Sequence, residues 1–147
     1  MLEKLIEKIN PPYIGMSVMS CLYMETVKRV SERIKNKFSI PIIWGGVYAT
    51  LMSDDLLTYC DYVIRGEGEG ALLEFLDHRQ RGLDTDAIKN LVVKKSDKII
   101  KNDVREYIQD LDALGYLEIG DRNIYLIENN TVFDRLCENV SLQRSLL

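Results

Sequence analysis

Two short stretches carry the residue types best suited to meeting a ligand. Gly45-Gly46-Val47-Tyr48 follows the apolar run Pro41 to Trp44, and Gly66-Glu67-Gly68-Glu69 follows Tyr62 to Arg65. Glycine lets backbone approach a ligand closely, and an apolar run ahead of it delivers that backbone to one end of a buried strand. A third run ends where polar Ser17 and Ser20 open a loop. Ser17 has no histidine and acid partners that would make it a nucleophile. Glu67 and Glu69 offer general acid/base chemistry, but carboxylates just ahead of a helix are equally explained as partners of its positive end. Trp44 and Tyr48 have the flat faces to stack on a planar ligand; Trp44 reads as core and Tyr48 stays open between the two roles. No catalytic residue is expected.

Metal chemistry is equally thin. Cys21, Cys60 and Cys137 are odd in number, far apart and without a Cys-x-x-Cys spacing or a histidine beside them, so they read as buried or incidental thiols. The sole histidine, His78, sits late in a helix and far in sequence from the glycine loops. No metal site is expected. The glycines match neither Gly-x-Gly-x-x-Gly nor a phosphate-binding loop, which makes a nucleotide the weaker cofactor reading.

The elements that must position these loops alternate. Leu2, Leu5, Ile6 and Ile9 have helical spacing, ended by Pro11-Pro12. A strand is expected at Tyr13 to Met19 and an amphipathic helix over Glu25 to Lys37, with Val27, Val30 and Ile34 inward and a solvated basic face. Ile40 to Trp44 reads as a strand, Ser53-Asp54-Asp55 as the cap of a short helix through Tyr59, Tyr62 to Arg65 as a strand, and Ala71 to Gln80 as a helix stopped at Gly82. Strand and helix in turn predict a Rossmann-like, flavodoxin-like α/β fold: a parallel sheet with flanking helices, whose ligand rim lies at the strand ends.

After Gly82 the texture changes. Leu91 to Lys95 and Lys98 to Lys101 flank Ser96-Asp97 as a β-hairpin. Residues 102–112 read as irregular, anchored by Leu111 and Leu114, followed by a short strand at Ile124 to Ile127 and a helix at Val132 to Val140. Residues 1–82 are therefore expected to form the sheet domain and residues 83–147 a hairpin and connector.

The 147 residues suit a single core, and a net charge of −4 gives no field for gathering nucleic acid or anionic lipid. No stretch approaches the roughly 20 apolar residues of a membrane span, and the N-terminus lacks a signal-peptide core. The expected setting is the cytoplasm.

In their order, Gly15-Met16-Ser17, Pro41 to Gly46 with Thr50, Asp61 to Glu69 and Asp110-Leu111-Asp112 resemble the cobalamin-binding domain of radical S-adenosylmethionine enzymes, the group of the magnesium-protoporphyrin cyclase type and various methyltransferases. The resemblance implies that cobalamin lies on the strand rim, with Ser17, Met19 and Ser20 after the first strand, Gly45, Gly46, Val47 and Tyr48 after the second, and Gly66, Glu67 and Gly68 as the third lobe. A corrin with its amide arms and nucleotide tail needs little side-chain bulk and some hydroxyls, which Gly45-Gly46 and Ser17 or Ser20 supply. Two features depart from the family pattern. The domain usually opens with a further strand and helix, so the chain reads as truncated at its N-terminus, and the Asp-x-His-x-x-Gly motif that offers a cobalt ligand is absent. Asn139 to Leu147 is similar to the stretch ahead of the family's cysteine loop, but the Cys-x-x-x-Cys-x-x-Cys that holds a [4Fe-4S] cluster for S-adenosylmethionine cleavage is absent here. The implied partner is a radical S-adenosylmethionine barrel in cis. The other reading is a non-catalytic α/β interaction domain that keeps the fold without cofactor, and an exposed sheet edge would favour self-association in either case.

Overall fold

The structure is a computed structural model and describes residues 1–114, 125–129 and 131–133. They divide between two compact units, one holding Met1–Asn10 with Asp110–Leu147 and the other Pro11–Gln109.

The larger unit is built on a five-stranded sheet in the order β1-β2-β3-β4-β5, with β1 Ile14–Ser17, β2 Ile42–Gly45, β3 Tyr62–Ile64, β4 Leu91–Lys95 and β5 Lys98–Lys101. The first three strands are parallel, Met16 standing beside Trp44 and Trp44 beside Val63. The expected α/β fold with a parallel core and flanking helices is present. The hairpin is part of the same sheet: β4 runs antiparallel to β3, with Val63 opposite Val92. The expected division at residue 82 thus falls inside a unit that continues to Gln109. Leu91, Val92 and Val93 are all buried, which requires cover on both faces and makes β4 an interior strand.

Strand alternation sorts the core into two layers. On one face Ile42, Trp44 and Val63 meet α2 (Met24–Lys37), which buries Met24, Ser31 and Ile34 along one stripe. Val27 and Val30 are half-buried, and Arg29, Arg33, Lys35 and Lys37 are exposed as expected, whereas Lys28 is half-buried with its ammonium 4.8 Å from the Tyr59 ring centroid. On the other face Ile43, Ile64 and Leu91 pack with Ala71 and Phe75 of α5 (Glu69–Arg81) and with Ile88. Phe75 takes the edges of Tyr13 and Tyr62 at centroid distances of 5.6 and 4.7 Å. Gly82 closes α5 in the left-handed conformation, φ 69°, as its position predicts.

Between β2 and β3 the chain makes two short helices, α3 (Val47–Leu51) and α4 (Ser53–Leu56). Ser53 is inside α4, buried and bonded to Asp54 at 2.9 Å, so it is not the expected cap.

In the smaller unit α1 (Leu2–Ile9) buries Ile6 and ends at Asn10 in the left-handed conformation, φ 48°, with Lys8 5.6 Å from the Tyr125 ring centroid. Leu111–Leu114 form a 3₁₀ turn, but Leu111 and Leu114 are exposed and do not anchor it. β6 (Leu126–Glu128) and β7 (Thr131–Phe133) pair antiparallel. Val132 and Phe133 are therefore strand where a helix is expected. The rest of that expected helix, Ile124, Cys137 and the stretch Asn139 to Leu147 lie outside the described residues. No described helix is long and apolar enough to cross a membrane.

Candidate functional site

A groove of about 450 Å³ opens where the rim of the parallel strands meets the start of α5. Its floor is the sheet face that carries Gly15 and Ser17 of β1 and Ile43 and Gly45 of β2, residues paired across the two strands. Ile64 and Leu72 supply an apolar wall, and Gly46, Gly66, Gly68 and Glu69 the upper edge. Only Glu69 among the lining residues bears a charge.

The glycines of this groove are there for two different reasons. Gly46 has φ 95°, and a Cβ on it would stand 2.8 Å from the Val18 carbonyl oxygen. Val18 donates to the Gly45 carbonyl at 2.8 Å and accepts from the Tyr48 amide at 3.1 Å, so this close crossing is fixed. Gly66 has φ 69°, with Val104 and Asn90 pressing where a side chain would go. Both glycines are demanded by the backbone itself. Gly15 and Gly45 are not. A Cβ on Gly15 would meet nothing within 4 Å, and one on Gly45 only the Ile64 carbonyl at 3.9 Å. Side chains there would fit the fold and fill the groove.

The structure brings together only part of the expected set. Ser17, Gly45, Gly46, Gly66 and Gly68 line the groove. The Ser17 hydroxyl donates to the Met19 sulfur at 3.7 Å, and Met19 itself is largely exposed. Ser20 precedes the 3₁₀ turn Cys21–Tyr23 without capping it through its side chain. Val47 is exposed and Tyr48 half-buried, and neither lines the groove. Glu67 also turns elsewhere: its carboxylate accepts the Ile108 amide at 2.7 Å, which ties the segment after β5 to the β3–α5 loop. Sequence reasoning did not select Gly15, Ile43, Ile64 and Leu72. Gly15 was legible in principle, since it stands two residues before Ser17 on the same strand face.

The loop is braced from behind by Asn90, buried and at φ 73°. Its amide donates to the carbonyls of Arg65 at 2.6 Å and Glu67 at 3.3 Å, while its oxygen accepts the Arg105 amide at 3.0 Å. Arg105 also pairs with Glu74 of α5. Trp44 is fully buried, stacked on Tyr59 at 6.1 Å and bonded to Ser31, so its ring is core. His78 is at the far end of α5 from Glu69, its Nδ1 2.7 Å from the Asp84 carbonyl. Among the described residues no three ligating side chains gather in a metal-binding group.

A parallel-cored α/β sheet with an apolar, glycine-floored groove at the strand rim is the architecture of the Rossmann-like class, in which ligands are bound at that rim. The sequence model of the B12 binding domain matches residues 1–76, and the chain belongs to that family. It is 25% identical over 118 residues to the uncharacterized methyltransferase PH0819 of Pyrococcus horikoshii, covering 77% of this chain and 25% of that protein. The fold is similar to that of the radical S-adenosylmethionine methyltransferase TsrM from Kitasatospora setae, solved with tryptophan and a SAM analog, with a TM-score of 0.62 at 19% identity over 69% of this chain and 21% of TsrM. OxsB, a cobalamin-dependent S-adenosylmethionine radical enzyme solved with aqua-cobalamin and S-adenosylmethionine, aligns with a TM-score of 0.57 at 19% identity over 72% of this chain and 16% of OxsB. The chain thus spans no more than a quarter of the length of these relatives.

Proposed function

We propose that the chain is a cobalamin-binding module of a radical S-adenosylmethionine enzyme, with the groove over Gly15 and Gly45 as the seat of the cofactor. The observation that carries this reading is the bare floor: two glycines that the backbone does not require, set diagonally on one face of β1 and β2, Gly15 beside Ile43 and Gly45 beside Ser17. Their missing side chains leave depth for the slim nucleotide tail, Ile43, Ile64 and Leu72 exclude water from it, and the Ser17 hydroxyl is placed to meet an amide of the ring. Cobalamin supplies, when bound, a redox-active cobalt suited to methyl transfer. No histidine of this chain is placed to ligate that cobalt, since His78 is held at Asp84.

Membership in the B12 binding domain family supports the choice of cofactor. TsrM, solved with cobalamin and a [4Fe-4S] cluster, supplies the analogy for a parent enzyme that joins such a module to a catalytic barrel. In that parent the barrel performs methyl transfer or an oxidative cyclisation, and residues beyond the sheet lead toward it.

Titration with hydroxocobalamin, followed by visible absorbance, tests the reading. Saturable binding is expected for the wild type. In Gly15→Leu it should weaken at least about tenfold, the side chain taking the volume of the tail, while the melting temperature holds within a few degrees. Equal binding by both proteins would remove the groove from the site. No binding by either would favour a cofactor-free interaction domain, the reading that the place of β1 at the end of the sheet supports.

A further inference from the structure

Thr50 lies outside the groove, near the end of α3, yet it touches both loops that form the groove's upper edge. Its hydroxyl donates to the Gly46 carbonyl at 2.9 Å and accepts the Gly66 amide at 2.9 Å. The first bond is the ordinary backward reach of a helical threonine to the carbonyl four residues earlier. The second is not local. It crosses sixteen residues of sequence and joins the loop after β2 to the loop after β3.

Both partners stand in the left-handed range, Gly46 at φ 95° and Gly66 at φ 69°. Such turns keep one shape only where their surroundings determine it. Gly46 is already held from one side by Val18, and Gly66 from below by Asn90 and Val104. The remaining direction, along the rim from one loop to the other, is spanned by the Thr50 hydroxyl. A hydroxyl suits this place because it donates and accepts at once; an isosteric valine would leave the Gly66 N–H and one lone pair of the Gly46 carbonyl without these bonds.

We propose that Thr50 is a positioning residue that clasps the two glycine loops and sets the width of the groove edge against which the corrin rests. The consequence for cobalamin rests on the function proposed above; the clasp itself does not. Preorganised loops slow the release of a ligand more than they speed its capture, because the cost of ordering them has been met before binding.

The test uses the whole chain as wild type, Thr50→Val and Thr50→Ser, with two readouts. In the absence of cofactor, amide hydrogen exchange by NMR should find the Gly66 N–H protected in wild type and Thr50→Ser. It should exchange at least about tenfold faster in Thr50→Val, with the Val63 amide of β3 unchanged. With hydroxocobalamin, dissociation should be roughly five- to tenfold faster from Thr50→Val and within about twofold of wild type from Thr50→Ser. A fast-exchanging Gly66 amide in the wild type overturns the clasp without recourse to any variant, and so does a serine variant that behaves as valine. Faster exchange with unaltered dissociation overturns the positioning role. If wild type binds no cobalamin, the proposed function fails and the cofactor role of Thr50 fails with it, while Gly66 exchange still decides whether the clasp exists.

Discussion

At the scale of single residues the most demanding group is the Trp44 indole, the only tryptophan of the chain and fully buried. Its N–H finds the Ser31 hydroxyl at 3.0 Å, and that hydroxyl in turn donates to the Met16 sulfur at 3.4 Å. A polar serine on the buried stripe of α2 is thereby accounted for. Ser31→Ala strands a buried donor and should lower stability by about 1–3 kcal/mol, with the shift followed by Trp44 fluorescence during urea unfolding. Cys60 is the other telling side chain. Burial pushes its thiol from the usual 9.0 up to about 12, with Asp61 adding to the rise. The unfolded chain releases this proton near pH 9 and the folded chain keeps it, so between pH 9 and 12 the unfolded state binds fewer protons and stability falls as pH rises. Below pH 9 the group contributes no slope. Cys60→Ser keeps a donor for the Leu56 carbonyl without ionising in this range, and its unfolding free energy should therefore decline less steeply above pH 9. Identical slopes would mean that the thiol is not sequestered.

At the scale of elements, the β3–α5 loop depends on the segment that follows β5. Asn90 accepts one bond from that segment and gives two to the loop, and Glu67 adds the bond to Ile108. Asn90→Ala removes all three side-chain bonds and places a Cβ residue without asparagine's tolerance for φ 73° there, at a cost of roughly 3 kcal/mol. Asn90→Gly restores the backbone freedom but not the bonds, and should recover about 1 kcal/mol of that loss. Denaturation midpoints of the pair separate the two contributions. If both variants were as stable as wild type, the brace would have no energetic weight. Glu67 shows how an element can redirect a residue: its place beside two glycines suggests a ligand contact, whereas its partner is a backbone amide 41 residues away.

At the scale of the whole molecule, the order of apolar runs and the two glycine loops already specify a sheet with its loops on one rim, because periodicity and turn residues are local properties of the chain. The end of α5 at Gly82 and the turn at Ser96-Asp97 were legible for the same reason: glycine at a helix end and a two-residue link between strands each declare themselves within a few positions. The membership of β4 in the sheet was not, since a hairpin carries no mark of which strand it will pair with. Nor could spacing separate the glycines. Gly46 and Gly66 are obligatory because Val18, Asn90 and Val104, remote in sequence, crowd them, and Gly15 and Gly45 are optional because nothing does. The chain's own letters thus determined the alternating strands and long helices of the larger unit and their common rim, though not α3 or the pairing of β6 with β7; only tertiary packing decided which glycines leave open space over the strands, because that depends on which distant atoms come to occupy the space beside each α-carbon.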